Sequence, residues 1–468
     1  MTDLSNIRKK AAAVLQKNLY EVTLNGKLYR RTVPTKEFYV HQWNWDSATH
    51  AMGLIHIDED RAYDELLALV SGQWPNGLIA QITFNPKETK YFPGPQFWGT
   101  EKFANGEIIT SGITQPPLLA ISANYVYQNS KKPEKAEKFL KKILPAIVKY
   151  HDYLKKYRDP EDSGMLTVVH PWESGLDNSP RFDAPLANIP LETIPDEVKV
   201  LVNQFRSDDK IGDAKHRPGM DDYYRYMYLV HLFKSWDWDY TKIIQQSPFA
   251  VKDILFNSLW YKANESLAQL LTSAGNFELV EKYANWAIQT QNALKNLWDE
   301  KVQIYTDLDV SLGKHEPIRE NTIANFTTLW ANVPDDKQVK LLLKKLADPK
   351  QFWPAYPVPT TALNSPKFEL IRYWRGPTWP ITNIFVIEGL ANYISDTLAE
   401  KLYNELIAKT LNMIAQNGFF EYFDPTKGSA RPGKDLDASL GFGTFSWTAA
   451  ISLYLSHKLG TIKTPVNF

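Results

Sequence analysis

The sequence predicts an all-α protein in which an outer ring of helices wraps an inner one. Three observations lead there. Apolar residues recur at helical spacing along almost the whole chain. Amphipathic helices rich in Lys and Glu alternate with plainer helices of small and apolar residues, as expected if wet-faced helices sit outside and dry ones inside. Strand signals are few and short.

Taken in order, the wet-faced helices fall at 4–19, 61–71, 134–157, 247–273, 276–298, 335–347 and 397–416. Within 134–157, Phe139, Ile143, Ile147, Tyr150 and Leu154 form one stripe opposite lysines, and Pro145 is expected to kink it. The plainer helices fall at 47–56, 115–129, 219–235, 321–332, 378–395 and 440–458, making about thirteen helices in all. "GLIA" at 77–80 and "MLTVV" at 165–169 are the clearest strand signals. No fixed-period repeat and no linker divides the chain. One domain over 1–468 is expected, with a less regular excursion at about 158–218 forming part of a cap.

Composition narrows the function. Lys+Arg and Asp+Glu both number 53 among 468 residues, so no basic excess points to nucleic acid. With no cysteine there can be no disulfide, no thiolate catalysis and no Cys-ligated metal, which fits a reducing cytoplasm. The N-terminal segment reads as a first helix rather than a signal peptide, and no apolar run nears membrane-spanning length. The expectation is a cytoplasmic protein with no membrane or nucleic-acid partner; a monomer and a homo-oligomer are both compatible with the neutral charge.

The 15 Trp, 24 Tyr and 22 Phe include many in Pro/Gly-containing loops, where flat rings beside hydrogen-bonding groups suit a sugar. "YVHQWNWDSATH" (39–50), "YFPGPQFWGTEKF" (91–103), "KHRPGMDDYYRY" (215–226), "RENTIAN" (319–325) and "RYWRGPTWP" (372–380) lead into or open plainer helices, and "FFEYFDPTKG" (419–428) with "GFGTFSW" (441–447) surrounds the start of the last one. In a double ring such starts share one end, so distant segments would meet in one funnel.

Most loop acids are caps or turn residues; the candidates are Asp46, Glu173, Asp177, Asp183, Asp221, Asp222, Glu421, Asp424 and Asp435. Two are harder to explain that way. Asp177 lies in "HPWESGLDNSPRFD", between Gly175 and Pro180 and near Trp172; Glu421 lies among Phe419, Phe420, Tyr422 and Phe423. Apolar surroundings raise a carboxyl pKa, and one protonated and one ionised carboxyl are what glycosidic hydrolysis needs. Motifs for zinc proteases, serine esterases, P-loops and dinucleotide sites are missing, and the nine histidines have no metal-ligand spacing. "GFGTF" at 441–445 reads as a tight, backbone-exposing turn. No cofactor or metal is expected.

"WESGLDNSPRFD", "YWRGPTWP", "FEYFDP" with a downstream "FSW", and "QWNWDSATHAMGL" together resemble glycoside hydrolase family 63, over about 37–455. The resemblance implies an (α/α)6 barrel of about twelve helices with long active-site loops and an inverting, exo-acting α-glycosidase. Asp177 would be the general acid and Glu421 the general base. Glu173, Asn178 and Arg181 would support the loop or bind hydroxyls, Arg181 alternatively pairing with Asp183. Asp46 would lie near the sugar, walled by Trp43, Trp45, Trp374 and Trp379; Arg375, beside Tyr373, would bind hydroxyls or brace its loop. The chain lacks the large β-domain of glycan-trimming members and is similar in size to hydrolases of mannosylglycerate and glucosylglycerate. In such enzymes the positions of Arg217, Tyr223, Tyr39, Trp43 and Gln115 form the pocket, Arg217 being the cation for a glycerate carboxylate. A neutral α-glucoside, disaccharide or oligosaccharide is the alternative substrate, and a non-catalytic sugar-binding barrel the alternative class. The segments 91–106 and 185–215 are candidate lids.

Overall fold

The computed structural model describes residues 4–208, 214–428 and 443–461. Asp435 and the first two residues of "GFGTFSW" lie outside them.

Six helices close an inner ring in which each packs on the next: Asn44–Leu54, Leu119–Gln128, Ile254–Ser273, Ala324–Trp330, Pro380–Ala391 and Ser446–Thr461, the last returning to the first. Six more alternate with them in sequence and lie outside: Leu4–Lys17, Glu59–Val70, Pro133–Arg158, Phe277–Lys295, Asp336–Leu346 and Thr397–Asn417. This is the (α/α)6 barrel.

The sequence dictates which helix goes where. Every residue of Asn44–Leu54 is buried, including Asn44, Asp46 and His50, so this helix has no wet face to offer solvent. Small residues allow the inner helices their close approach: a Cβ on Gly53 would stand 2.5 Å from the Ala450 backbone. Outer helices instead bury a stripe. In Asp336–Leu346 it is Val339, Leu342, Leu343 and Leu346, opposite a lysine-rich face. Asp side chains cap the starts: Asp58, Asp253 and Asp396 accept from first-turn backbone amides, and Asp335 forms a capping box with Gln338.

Connections from inner to outer helices are short, at 55–58, 129–132, 274–276, 331–335 and 392–396. Connections from outer to inner are long, at 18–43, 71–118, 159–253, 296–323, 347–379 and 418–445. Since the two kinds occupy opposite ends of the barrel, all the irregular chain gathers at one mouth.

Several expectations need correction. The helix expected at 219–235 forms as Met220–Ser235 but is not in the ring; it lies in the 159–253 excursion and packs on Asp196–Phe205 there and on Pro95–Trp98 of the 71–118 connection. Its place in the inner ring is taken by Ile254–Ser273, read as a wet-faced outer helix, of which Lys262, Glu265 and a few others reach solvent while both flanks are buried. "GLIA" makes no strand: Leu78, Ile79 and Ala80 are buried irregular chain, and the carbonyls of Leu78 and Ile79 are met by Trp74, Asn44 and Thr114. "MLTVV" contributes one bridge, Val168 to Val251. A hairpin of Leu19–Leu24 and Lys27–Thr32 about Asn25-Gly26, both at positive φ, was not expected. The 133–158 helix continues through Pro145.

Candidate active site

At the mouth lies an open cleft of about 840 Å³. Five of the six long connections line it, the one at 296–323 being absent from its wall. It is walled by Tyr39, Trp43, Trp45, Tyr91, Trp98, Trp172, Tyr223, Tyr373, Trp374 and Trp447, and carries the carboxyls of Asp46, Asp177, Asp208 and Glu421. Arg217 is the one basic side chain among its described lining residues. An aromatic cleft with a few converging polar groups suits a small glycoside.

The 170–183 loop is held from four sides. Glu173, fully buried, pairs with Arg158 and accepts the backbone N–H groups of Thr114 and Val169. Arg181, fully buried, pairs with Asp253 (3.1 Å) and Asp307 (2.9 Å), tying the loop to the start of an inner helix. It does not pair with Asp183, because Asp183 is taken by Arg375 in a two-pronged contact at 2.7 and 3.1 Å. Asn178 Oδ1 accepts the Trp374 amide at 2.9 Å, and Tyr226 donates to the Asp177 carbonyl at 3.0 Å. Gly175, at φ 77°, sits so close to the Trp45 ring that a Cβ would lie 2.6 Å from it. The loop is rigid because of these contacts.

Asp177 and Glu421 both border the cleft, and burial pushes each up to about 7. Their other neighbours differ. At Glu421, Arg217 and a hydrogen bond from Tyr373 (3.1 Å) favour the ionised form. At Asp177, its own backbone amide and Arg217 favour ionisation, but the negative charges of Asp208 and Asp222 oppose it. Asp46, in the first turn of its inner helix, is held well above the usual carboxylate range by burial and then by the charge of Glu421.

Arg217 is 4% exposed. Its NH1 donates to Tyr39 Oη at 3.0 Å, its guanidinium covers the Tyr373 ring at 4.9 Å, and its NH2 stands 3.6 Å from Glu421 Oε2. Tyr39 and Tyr373 hydroxyls are 3.1 Å apart. Because Tyr373 gives its proton to Glu421, the order runs one way: Arg217 donates to Tyr39, Tyr39 to Tyr373, Tyr373 to Glu421.

Gln115 also lines the cleft, its side-chain oxygen accepting the Trp45 amide. Arg375 and Trp379 stand behind the wall. Arg375 braces Asp183 and Glu369, and Trp379 stacks on Trp374 at 3.5 Å and on Tyr422 at 4.4 Å. Sequence reasoning did not single out Tyr91, Trp98 or Asp208, nor Trp447 beyond its motif. Asp208 is bound two-pronged by Arg206, whose guanidinium lies 4.1 Å from the Tyr223 ring. Among the described residues no group of three or more His, Asp or Glu could hold a metal ion, and His41 and His170 are held down at about 3 by burial.

An (α/α)6 barrel with paired buried carboxyls in an aromatic cleft is the architecture of a helical-barrel glycoside hydrolase. The model of the mannosylglycerate hydrolase MGH1-like glycoside hydrolase domain matches residues 39–448, and the chain belongs to that family, within glycoside hydrolase family 63. It is 37% identical to a mannosylglycerate hydrolase of Thermus thermophilus, covering 95% of this chain and 99% of that one. It is 30% identical to a glucosylglycerate hydrolase of Mycolicibacterium hassiacum, covering 89% and 91%. The crystal structure of a family 63 mannosylglycerate hydrolase from Thermus thermophilus in complex with Tris and D-glycerate superposes with a TM-score of 0.83 at 35% identity, covering 96% of this chain and 99% of that chain. No helix among the described residues is long and apolar enough to cross a membrane.

Proposed function

We propose that the protein is an inverting, exo-acting α-glycosidase of the cytoplasm, which hydrolyses an α-mannoside or α-glucoside of glycerate with the chain acting as one catalytic unit. The observation that carries the reading is the pair of buried carboxyls, Asp177 and Glu421, on one sugar-sized cleft with unlike neighbours. Asp208 and Asp222 favour keeping the proton on Asp177, the general acid; Arg217 and Tyr373 favour the ionised form of Glu421, the general base. Glu421 takes a proton from water as its oxygen attacks C1, the C1–O bond breaks, and Asp177 protonates the leaving oxygen. Arg217, buried and unmatched by any other cation in the described wall, suits the glycerate carboxylate. The names of the relatives point the same way.

The test is NMR of the first sugar released. The β-anomer is expected; an α-anomer overturns the inverting reading. Asp177→Ala and Glu421→Ala should each abolish hydrolysis of glycerate glycosides by a folded protein, and normal turnover by either removes that assignment.

A further inference from the structure

The contact between Arg217 and Glu421 differs from the other arginine–carboxylate contacts around the cleft. Arg206 grips Asp208 at 2.7 and 3.2 Å, Arg375 grips Asp183 at 2.7 and 3.1 Å, and Arg181 meets Asp307 at 2.9 Å. Arg217 NH2 stops 3.6 Å short of Glu421 Oε2, which is beyond hydrogen-bond range, and that oxygen has no hydrogen-bond partner among the described residues. The two attract by charge alone. The cleft also carries Asp46, Asp177 and Asp208, with Tyr39, Tyr373 and Tyr422 around the guanidinium, and no second cation lines it among the described residues. A carboxylate entering this cleft therefore has one place to go.

We propose that the carboxylate of an acidic aglycone competes with Glu421 for Arg217, so that binding the correct substrate loosens the base from its cation and activates it. This rests on the reading of Glu421 as base. A two-pronged contact at ordinary charge-assisted distance is stronger than the bare 3.6 Å attraction, so the guanidinium turns toward the newcomer. Glu421 then keeps its hydrogen bond from Tyr373 but feels less positive charge, and holds the proton of the attacking water more strongly. A neutral aglycone leaves the pair intact and the base subdued. Selection for acidic substrates thus acts on kcat as well as on KM.

An α-glycosyl fluoride isolates this step, because fluoride departs without a proton from Asp177. With α-mannosyl and α-glucosyl fluorides as substrates, at a pH above about 9 where Glu421 stays ionised, D-glycerate in the aglycone site should raise kcat by about three-fold, the effect of roughly one unit of base strength at an intermediate Brønsted slope; glycerol should not. Binding of D-glycerate, followed by calorimetry at pH 7 in buffers of different ionisation enthalpy, should take up protons, and Glu421→Gln should take up fewer. Fluoride turnover that needs Glu421 but ignores a saturating concentration of D-glycerate, or responds equally to glycerol, overturns the proposal and leaves the catalytic assignment standing. Failure of D-glycerate to bind overturns it also. Wild-type enzyme inactive on both fluorides, or Glu421→Ala as active on them as wild type, removes the base itself and the proposal with it.

Discussion

Tyr373 donates its hydroxyl proton to Glu421 Oε1 at 3.1 Å, and so ends a directed chain that begins at Arg217. The bond stabilises the ionised carboxylate against burial that would otherwise keep it protonated. Asp177 and Glu421 both sit at about 7, so kcat/KM should follow a narrow bell near neutrality. Its acidic limb is Glu421, which must lose its proton; its basic limb is Asp177, which must keep it. Tyr373→Phe should move the acidic limb to higher pH by about 0.5–1 unit and leave the basic limb in place. A pH–rate profile of the variant checks this.

The same burial costs stability. The folded pKa values of about 7 lie above those of free carboxyls, so between roughly pH 4 and 7 the folded protein binds more protons than the unfolded chain. Stability from these groups is complete at low pH and is lost as pH rises through 7. Asp177→Asn and Glu421→Gln should each stabilise the protein at pH 8, by an amount on the order of 2–3 kcal/mol, and do much less at pH 5. Thermal melts at both values test it.

Arg181 lies between Asp253 and Asp307 with no access to solvent, and Asp307 stays raised to about 6 by burial despite it. Arg181→Met should leave two buried acids unpaired and cost about 3–5 kcal/mol in denaturant unfolding. Folded enzyme that remains should show a lower kcat, because the acid's loop loses one of its four ties.

Gly175→Ala puts a methyl group 2.6 Å from the Trp45 ring, at a φ of 77° that disfavours any side chain. A loss of roughly 1–3 kcal/mol is expected, with kcat falling more than KM rises. Steady-state kinetics beside an unfolding curve separates the two effects.

Much of the fold could be read from residue patterns. The loops that carry Trp43, Gln115, Trp374 and Glu421 all enter inner helices, and this alone put distant segments at one mouth. Ring membership was harder. Met220–Ser235 has Tyr223, Tyr226, Met227 and Phe233 buried and looks like an inner helix, but it packs on short helices of the long connections rather than in the ring. Ile254–Ser273 shows Lys262 and Glu265 at one edge, and composition alone could not show that the remainder is enclosed. The hairpin carries a signal of its own in Asn25-Gly26, a turn pair between apolar and polar residues in alternation. Tyr91, Trp98 and Asp208 had none, because in irregular chain no periodicity tells which way a side chain points. Arg375 and Trp379 were plausible from their motif, yet the turn at 373–375 aims them behind the wall.

The tight turn at 274–276, far from the sugar site, has a practical use. Gly275 lies at φ 73° with open space where a side chain would be. A peptide tag or a surface linker grafted there would project from the end of the barrel opposite the mouth. Enzyme tethered to a solid support by that point should keep its entrance facing the bulk liquid and turn over substrate at the rate of free protein.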